Sequence, residues 1–203
     1  MLTIGEGASA TVVDEAVDGV VRVEVAPDPL TVMARHGAPP LPPYLRREAD
    51  AADLERYQTV YARTQGSAAA PTAGLHFDEP LLDALRAAGI GFCTVTLHVG
   101  LGTFRPLREE DVDRGELHAE PWEVPAETSE QIARTRAAGG RIVAVGTTSA
   151  RTLEAATTAR PRGDAPRAPA PGTGVTRLFV RPPYAFRAVD ALITNFHLPG
   201  ARC

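Results

Sequence analysis

Residues 36–46, HGAPPLPPYLR, hold four prolines in eleven positions. Each proline fixes its own φ and biases the residue before it away from helix, so this stretch is an extended, stiff connector. It sets a domain boundary, with residues 1–38 on one side and 39–203 on the other. A chain of 203 residues has room for one domain or two small ones. With 44% hydrophobic and 23% charged residues, it can build a packed core.

Upstream of the connector, residues 1–35 read as short strands. Val20 to Val25 alternate at period two, and Asp18-Gly19 before them is a two-residue hairpin signal. A lone hairpin is marginal in water, so this one needs a further strand, and the chain upstream is expected to offer none. Downstream, the reading is helix over 53–63 with Leu54, Tyr57, Val60 and Tyr61 on one face, and a loop over 66–77. Helix follows over 79–88, stopped by Gly89, then a buried strand over 90–98. Next come helix 128–138, stopped by Gly139 and Gly140, strand 141–145 and helix 148–159. A Pro/Ala/Arg-rich loop over 160–172 precedes two last strands, 176–180 and 189–194. Alternating strands and helices predict a mixed α/β layer.

Composition narrows the chemistry. All 21 basic residues are arginine. With no lysine, a Schiff-base lysine, a lysine general base and a P-loop lysine are excluded. The net charge of −4 argues against coating nucleic acid or anionic membrane by charge alone. Charge is uneven, however. Residues 108–131 carry nine acids against two arginines, and residues 158–187 carry six arginines against one acid. The second stretch is either solvated surface or an edge that contacts phosphate. Cys93 and Cys203 build neither a disulfide framework nor a CxxC site, which favours a reducing compartment. The N-terminus lacks the basic start and apolar run of a signal peptide, and no run of about 18 apolar residues occurs. The expectation is a cytoplasmic protein with no membrane association.

Four histidines stand in polar or glycine-rich settings: His76, His98, His118 and His197. Each alone is more readily a hydrogen-bonded structural residue, but as a set they suggest one cleft at the strand ends of an α/β fold. Their spacings are not those of short metal motifs, so no metal is expected. Gly100-Leu101-Gly102-Thr103 follows a strand and lets a ligand approach the backbone. Val145-Gly146-Thr147-Thr148-Ser149 reads as strand, turn and helix start, where a hydroxyl caps the helix or the free N–H groups bind a carboxylate. Arg151 and Glu154, three residues apart on that helix, are placed to pair with each other.

Several further segments join these in order along the chain. They are Leu41-Pro42-Pro43-Tyr44, Tyr57-Gln58-Thr59-Val60-Tyr61, Ala70 to Phe77, Val95 to Gly100, Gly102-Thr103-Phe104, His118 with Glu120, Val145 to Ser149, Arg151 to Glu154 and Thr194 to Pro199. Together, over about residues 39–200, they resemble the S-adenosylmethionine:tRNA ribosyltransferase-isomerases of queuosine biosynthesis. The resemblance implies a larger α/β domain, incomplete here over 39–203, with a small inserted β-barrel domain of which residues 1–38 are a remnant. It implies transfer and isomerisation of the ribosyl group of S-adenosylmethionine onto a 7-aminomethyl-7-deazaguanine base in tRNA. The products are epoxyqueuosine-tRNA, adenine and methionine. S-adenosylmethionine is then the ribosyl-donating substrate, tRNA the partner, and no metal takes part. Intact relatives favour a monomer.

That reaction needs a base for an acidic ribose C5′ hydrogen beside the sulfonium, a proton donor for adenine, and partners for the methionine carboxylate and ammonium. His76, His98, His118 and His197 are the candidates for proton transfer, because imidazole titrates near working pH. Glu120 is expected to orient His118 or take a proton itself. Thr147, Thr148 and Ser149 suit the methionine carboxylate, Gly100 and Gly102 admit the adenosyl group, and Asn195 reads a base or ribose edge. Thr72, Gly74, Thr103, Gly146 and Arg151, in the same motifs, complete the expected substrate-binding set. Relative to the family, segments at both ends are missing, so the chain reads as a fragment, a damaged gene or a shortened relative, expected to be poorly soluble, partnered or inactive alone. Two other readings stay open: a non-catalytic remnant that binds tRNA or S-adenosylmethionine, and a relative acting on a small 7-deazapurine.

Overall fold

The computed structural model describes residues 1–16, 21–41, 45–100, 102, 109–158 and 168–195. The chain divides into two compact units, Met1–Glu55 and Arg56–Cys203.

In the first unit, β1 (Leu2–Gly5), β2 (Ala8–Val12) and β3 (Val23–Ala26) form an antiparallel sheet in the order β1-β2-β3. Gly7, with φ +74°, makes the tight turn between β1 and β2. Asp18-Gly19 lies outside the described residues, but Val12 pairs with Val23 and the Val13 N–H donates to the Arg22 carbonyl at 3.0 Å. The third strand that the hairpin needs comes from upstream after all, as β1. Its period-two signal is weak because Gly5 and Gly7 interrupt it. The second departure is α1 (Pro29–His36), where strands were expected. Asp28 caps it by accepting from the Thr31 N–H at 2.9 Å, and Pro29 opens its first turn.

In the second unit, β4 (Thr96–Leu97), β5 (Glu116–Val124) and β7 (Gly172–Leu178) form an antiparallel sheet in the order β4-β5-β7. β6 (Val143–Val145) and β8 (Ala191–Ile193) form a parallel pair. The helices are α3 (Glu79–Ala87), α4 (Glu109–Arg114), α5 (Ala126–Ala137) and α6 (Thr147–Thr158), with a 3₁₀ turn over Thr72–His76. α2 (Ala51–Arg56) stands at the division between the units. The fold is mixed α/β.

Three expected elements come out shorter. The helix expected over 53–63 ends at Arg56, and beyond it Tyr61 stacks edge-on against Phe92, with centroids 5.4 Å apart. Of the strand expected over 90–98, only Thr96 and Leu97 pair. β5 gives way at Pro125 to α5, so no strand remains beside residues 90–94, and Ile90 and Cys93 are exposed. β8 starts at Ala191 because the N–H groups of Ala188 and Val189 bond elsewhere.

Helix α6 organises this unit. Ala150 and Leu153 pack with Ile132 of α5, Ile142 and Ala144 at β6, and Ala188 and Val189 before β8. Ala155 and Ala156 pack with Trp122 and Val124 of β5. One helix therefore carries both cores and ties the antiparallel sheet to the parallel pair. Apolar residues on two of its sides produce this, and such a helix is buried nearly all round.

Candidate functional site

Along β5, His118, Glu120, Trp122 and Val124 alternate onto the α6 side of the sheet. Glu120 is the charged member of that row, with a side chain 2% exposed. A buried carboxylate requires partners. It has two. His118 Nε2 lies 2.7 Å from Oε1, and the Arg151 Nη1 of α6 bonds Oε2 in a very short contact. Arg151 is anchored further by Nε donating to the Leu178 carbonyl at 2.9 Å and Nη2 to the His118 carbonyl at 3.3 Å. Burial pulls the guanidinium pKa below the usual arginine value, and the Glu120 charge and hydrogen bond oppose that pull.

With Arg151 holding one carboxylate oxygen, Glu120 acts as acceptor at the other, so His118 donates through Nε2–H. Its Nδ1 faces the backbone at Gly102. A β-carbon at Gly102 would stand 2.7 Å from Nδ1. Glycine at 102 lets the backbone lie against the ring, and a larger residue would push the imidazole aside. The pairing of β5 with β7 shifts register between Glu116 and Glu120, the span that holds His118.

The expected pairing of Arg151 with Glu154 does not occur. Arg151 crosses to Glu120, and Glu154, fully buried, turns to the segment before β8. It accepts the N–H groups of Arg187 at 3.0 Å, Ala188 at 2.8 Å and Val189 at 3.1 Å, and the Tyr184 hydroxyl at 3.1 Å. Sequence reasoning missed this role. A signal was present, since Glu154 falls between Leu153 and Ala155 on the face that the helical period buries.

A second group of expected residues gathers at the start of α6. Gly146, with φ +90°, turns the chain from β6 into the helix and donates its N–H to the Ile193 carbonyl of β8 at 2.8 Å. Thr147, Thr148 and Ser149 occupy the first turn, half-buried and with no acid among them. Asn195 follows β8 by two residues, is half-buried and makes an interaction of its own. This end of the parallel pair is where open α/β sheets hold ligands. Arg151 stands one turn further along α6, so the helix carries both groups.

The other positions stand apart. The His98 N–H donates to the Pro121 carbonyl at 2.9 Å, which sets it across from Pro121 on the sheet face opposite Glu120. Its ring rests on Gly66, where a β-carbon would stand 2.9 Å from Nδ1. His76 ends the 3₁₀ turn and is exposed; Thr72 opens it, half-buried. Gly74 is buried in that turn, and a side chain there would collide with the Tyr61 hydroxyl. A β-carbon at Gly100 would meet open space. His197 and Thr103 lie outside the described residues. Among the described residues no three His, Cys, Asp or Glu side chains gather as a metal site, and no helix is long and apolar enough to cross a membrane.

Fold and site thus define a mixed α/β protein with a buried guanidinium–carboxylate–imidazole cluster and, on the same helix, a polar turn at the end of a parallel strand pair. Residues 1–203 match the queuosine biosynthesis protein family, and the chain belongs to it. It is 56% identical over 168 residues to the S-adenosylmethionine:tRNA ribosyltransferase-isomerase of Azoarcus sp. (strain BH72), an alignment spanning 83% of this chain and 47% of that protein. With the protein of the same name from Anaeromyxobacter dehalogenans (strain 2CP-1) it shares 52% identity over 197 residues, spanning 96% and 55% respectively. A crystal structure of an S-adenosylmethionine tRNA ribosyltransferase from Thermotoga maritima is similar with a TM-score of 0.44 and 29% identity, covering 97% of this chain and 49% of that one. The chain spans about half the length of the curated relatives it matches.

Proposed function

We propose that this protein takes part in queuosine modification of tRNA by transferring and isomerising the ribosyl group of S-adenosylmethionine onto a 7-deazaguanine base in the RNA, with adenine and methionine released. Family membership and the names of relatives more than half identical support the reaction. The observation that carries the site is the His118–Glu120–Arg151 cluster. The sulfonium acidifies the C5′ hydrogens, and a base must accept one. His118 is that base. Glu120 fixes the imidazole by accepting from Nε2–H and stabilises the imidazolium once Nδ1 has taken the proton. Arg151 holds Glu120 as acceptor and does not itself touch substrate.

Thr147, Thr148 and Ser149 receive the methionine carboxylate, since the first turn of α6 offers unpaired N–H groups and hydroxyls. Gly100, where a β-carbon would meet open space, leaves the adenosyl group room. Asn195 reads a base or ribose edge. His76, His98 and His197 remain candidates for protonating adenine. The protein works in the cytoplasm, and residues 1–38 are the remnant of an inserted barrel domain.

Adenine release from S-adenosylmethionine, with and without tRNA carrying the 7-aminomethyl base, tests this. Release only with the tRNA, lost in His118→Ala and reduced in Glu120→Gln, is the expected result. Release undiminished in His118→Ala removes His118 from the chemistry. No release, with S-adenosylmethionine still bound, identifies a binding module instead.

A further inference from the structure

Between β7 and β8 the chain makes a feature that the proposed chemistry does not use. Residues 172–189 carry three arginines, Arg177, Arg181 and Arg187, and no acid. All three are exposed. Within this stretch, Val180 to Phe186 fold around an open depression of about 530 Å³. Tyr184 and Phe186 meet edge to face, with centroids 5.1 Å apart and planes at 74°. Phe186 stays 48% exposed. The Arg181 guanidinium lies 5.7 Å from the Phe179 ring centroid and donates to the Val112 carbonyl at 2.7 Å, which leaves it further N–H groups to give.

The segment is also held rigid. Pro182 and Pro183 stiffen it, and Glu154 grips it from beneath through the Tyr184 hydroxyl and the Arg187 and Ala188 N–H groups. An exposed aromatic face held still binds at low entropic cost. Acidic neighbours sit at the Arg181 end, where α4 and Glu116 meet it. At the other end Asp190 is engaged by Arg136 at 3.3 Å and by the Ile142 N–H at 2.7 Å, and Glu154 is buried. The Phe186–Arg187 end therefore offers a flat ring beside an exposed guanidinium that makes no ion pair among the described residues. A partner that is both flat-faced and polyanionic matches it, and single-stranded nucleic acid is that partner; a lipid surface or acidic peptide supplies charge without the flat ring.

We propose that residues 180–187 form an RNA-contacting surface, on which an unpaired base stacks against Phe186 while Arg187 meets the phosphates. It rests on the reading of RNA as the partner and adds where that RNA lies. Fluorescence anisotropy with a labelled RNA stem-loop and the whole 203-residue chain tests it. The expected result is binding of the stem-loop, weakened roughly tenfold by Phe186→Ala and by Phe186→Leu, which keeps an apolar side chain without the ring face. Arg187→Gln lowers the slope of log affinity against log salt by about 0.7 to 1, and Arg86→Gln, the same charge change on α3, leaves binding as it was. Unshifted Trp122 emission shows which variants stay folded. Absence of stem-loop binding overturns the proposal. So does equal affinity for a blunt duplex, or wild-type affinity in both Phe186→Leu and Arg187→Gln. S-adenosylmethionine binding, measured in parallel by calorimetry, keeps the two readings apart: RNA binding lost with S-adenosylmethionine bound sinks this surface alone.

Discussion

Arg151 and Glu154 show how much a single side chain's partner depends on fold. Three residues apart on one helix, they are spaced to pair, at a gain of about 0.2–0.5 kcal/mol in an isolated helix. Each instead meets a buried group on a different side. Glu120 cannot stay buried without Arg151, and the N–H groups of 187–189 cannot stay buried without Glu154. Glu120→Gln is expected to cost about 3 kcal/mol in urea denaturation followed by Trp122 emission, because Arg151 is left buried without its counter-charge. Glu120→Leu combined with Arg151→Met should recover most of that; a double variant as unstable as the single one would refute the assignment. Tyr184 makes a pH prediction. Burial first, then the Glu154 charge and hydrogen bond, push its phenol well above the ordinary value near 10. The unfolded chain therefore loses this proton before the folded one, so stability falls as pH rises past about 10. Burial raises Tyr61 as well, in the same direction. Tyr184→Phe should flatten part of the alkaline fall in melting temperature, and an unchanged slope would show that the phenol is not held as described.

At the level of elements, packing of β5 on β7 depends on one glycine. Trp122 pairs with Gly174 across the sheet, and a β-carbon at 174 would stand 2.5 Å from the indole. Gly174→Ala should lower stability by roughly 1–3 kcal/mol and shift Trp122 emission to the red as the ring leaves its 7%-exposed position. A neutral substitution would mean that the ring has room to move. Three of the helices, α3, α5 and α6, were legible in the sequence. α3 begins at Asp78, which caps it by accepting from the Leu81 N–H at 2.8 Å, and the chain turns off after it at Gly89 with φ +75°. α5 is followed by Gly139 with φ +73° in the same way. These are local signals, read within a few residues. The strand expected over 90–98 failed because strand length is set by the partner, and β5 ends at Pro125. α1 was overlooked because its Asp28-Pro29 start lies inside a stretch dominated by β-branched residues.

For the whole molecule, apolar surface governs behaviour in solution. On the parallel pair, Val143 and Ile193 share a face and are 46% and 45% exposed. Apolar groups gathered on a two-stranded sheet favour association. Light scattering should show association that grows with concentration, and Val143→Thr with Ile193→Thr should suppress it. Scattering unchanged by the pair of substitutions would place the contact elsewhere. Of the site, the sequence by itself determined the residue types and their order along the chain: the histidines, the Thr-Thr-Ser turn and the Arg-Thr-Leu-Glu helix. Family membership follows from that order alone. Tertiary structure decided which of these residues meet. It joined His118 and Glu120 to Arg151 across 31 positions, sent Glu154 elsewhere, and set His98 on the opposite face of the sheet. The reason is physical. A motif is a local pattern, whereas the partner of a buried charge is settled by which distant element the helix face packs against, and no spacing along one strand or helix encodes that.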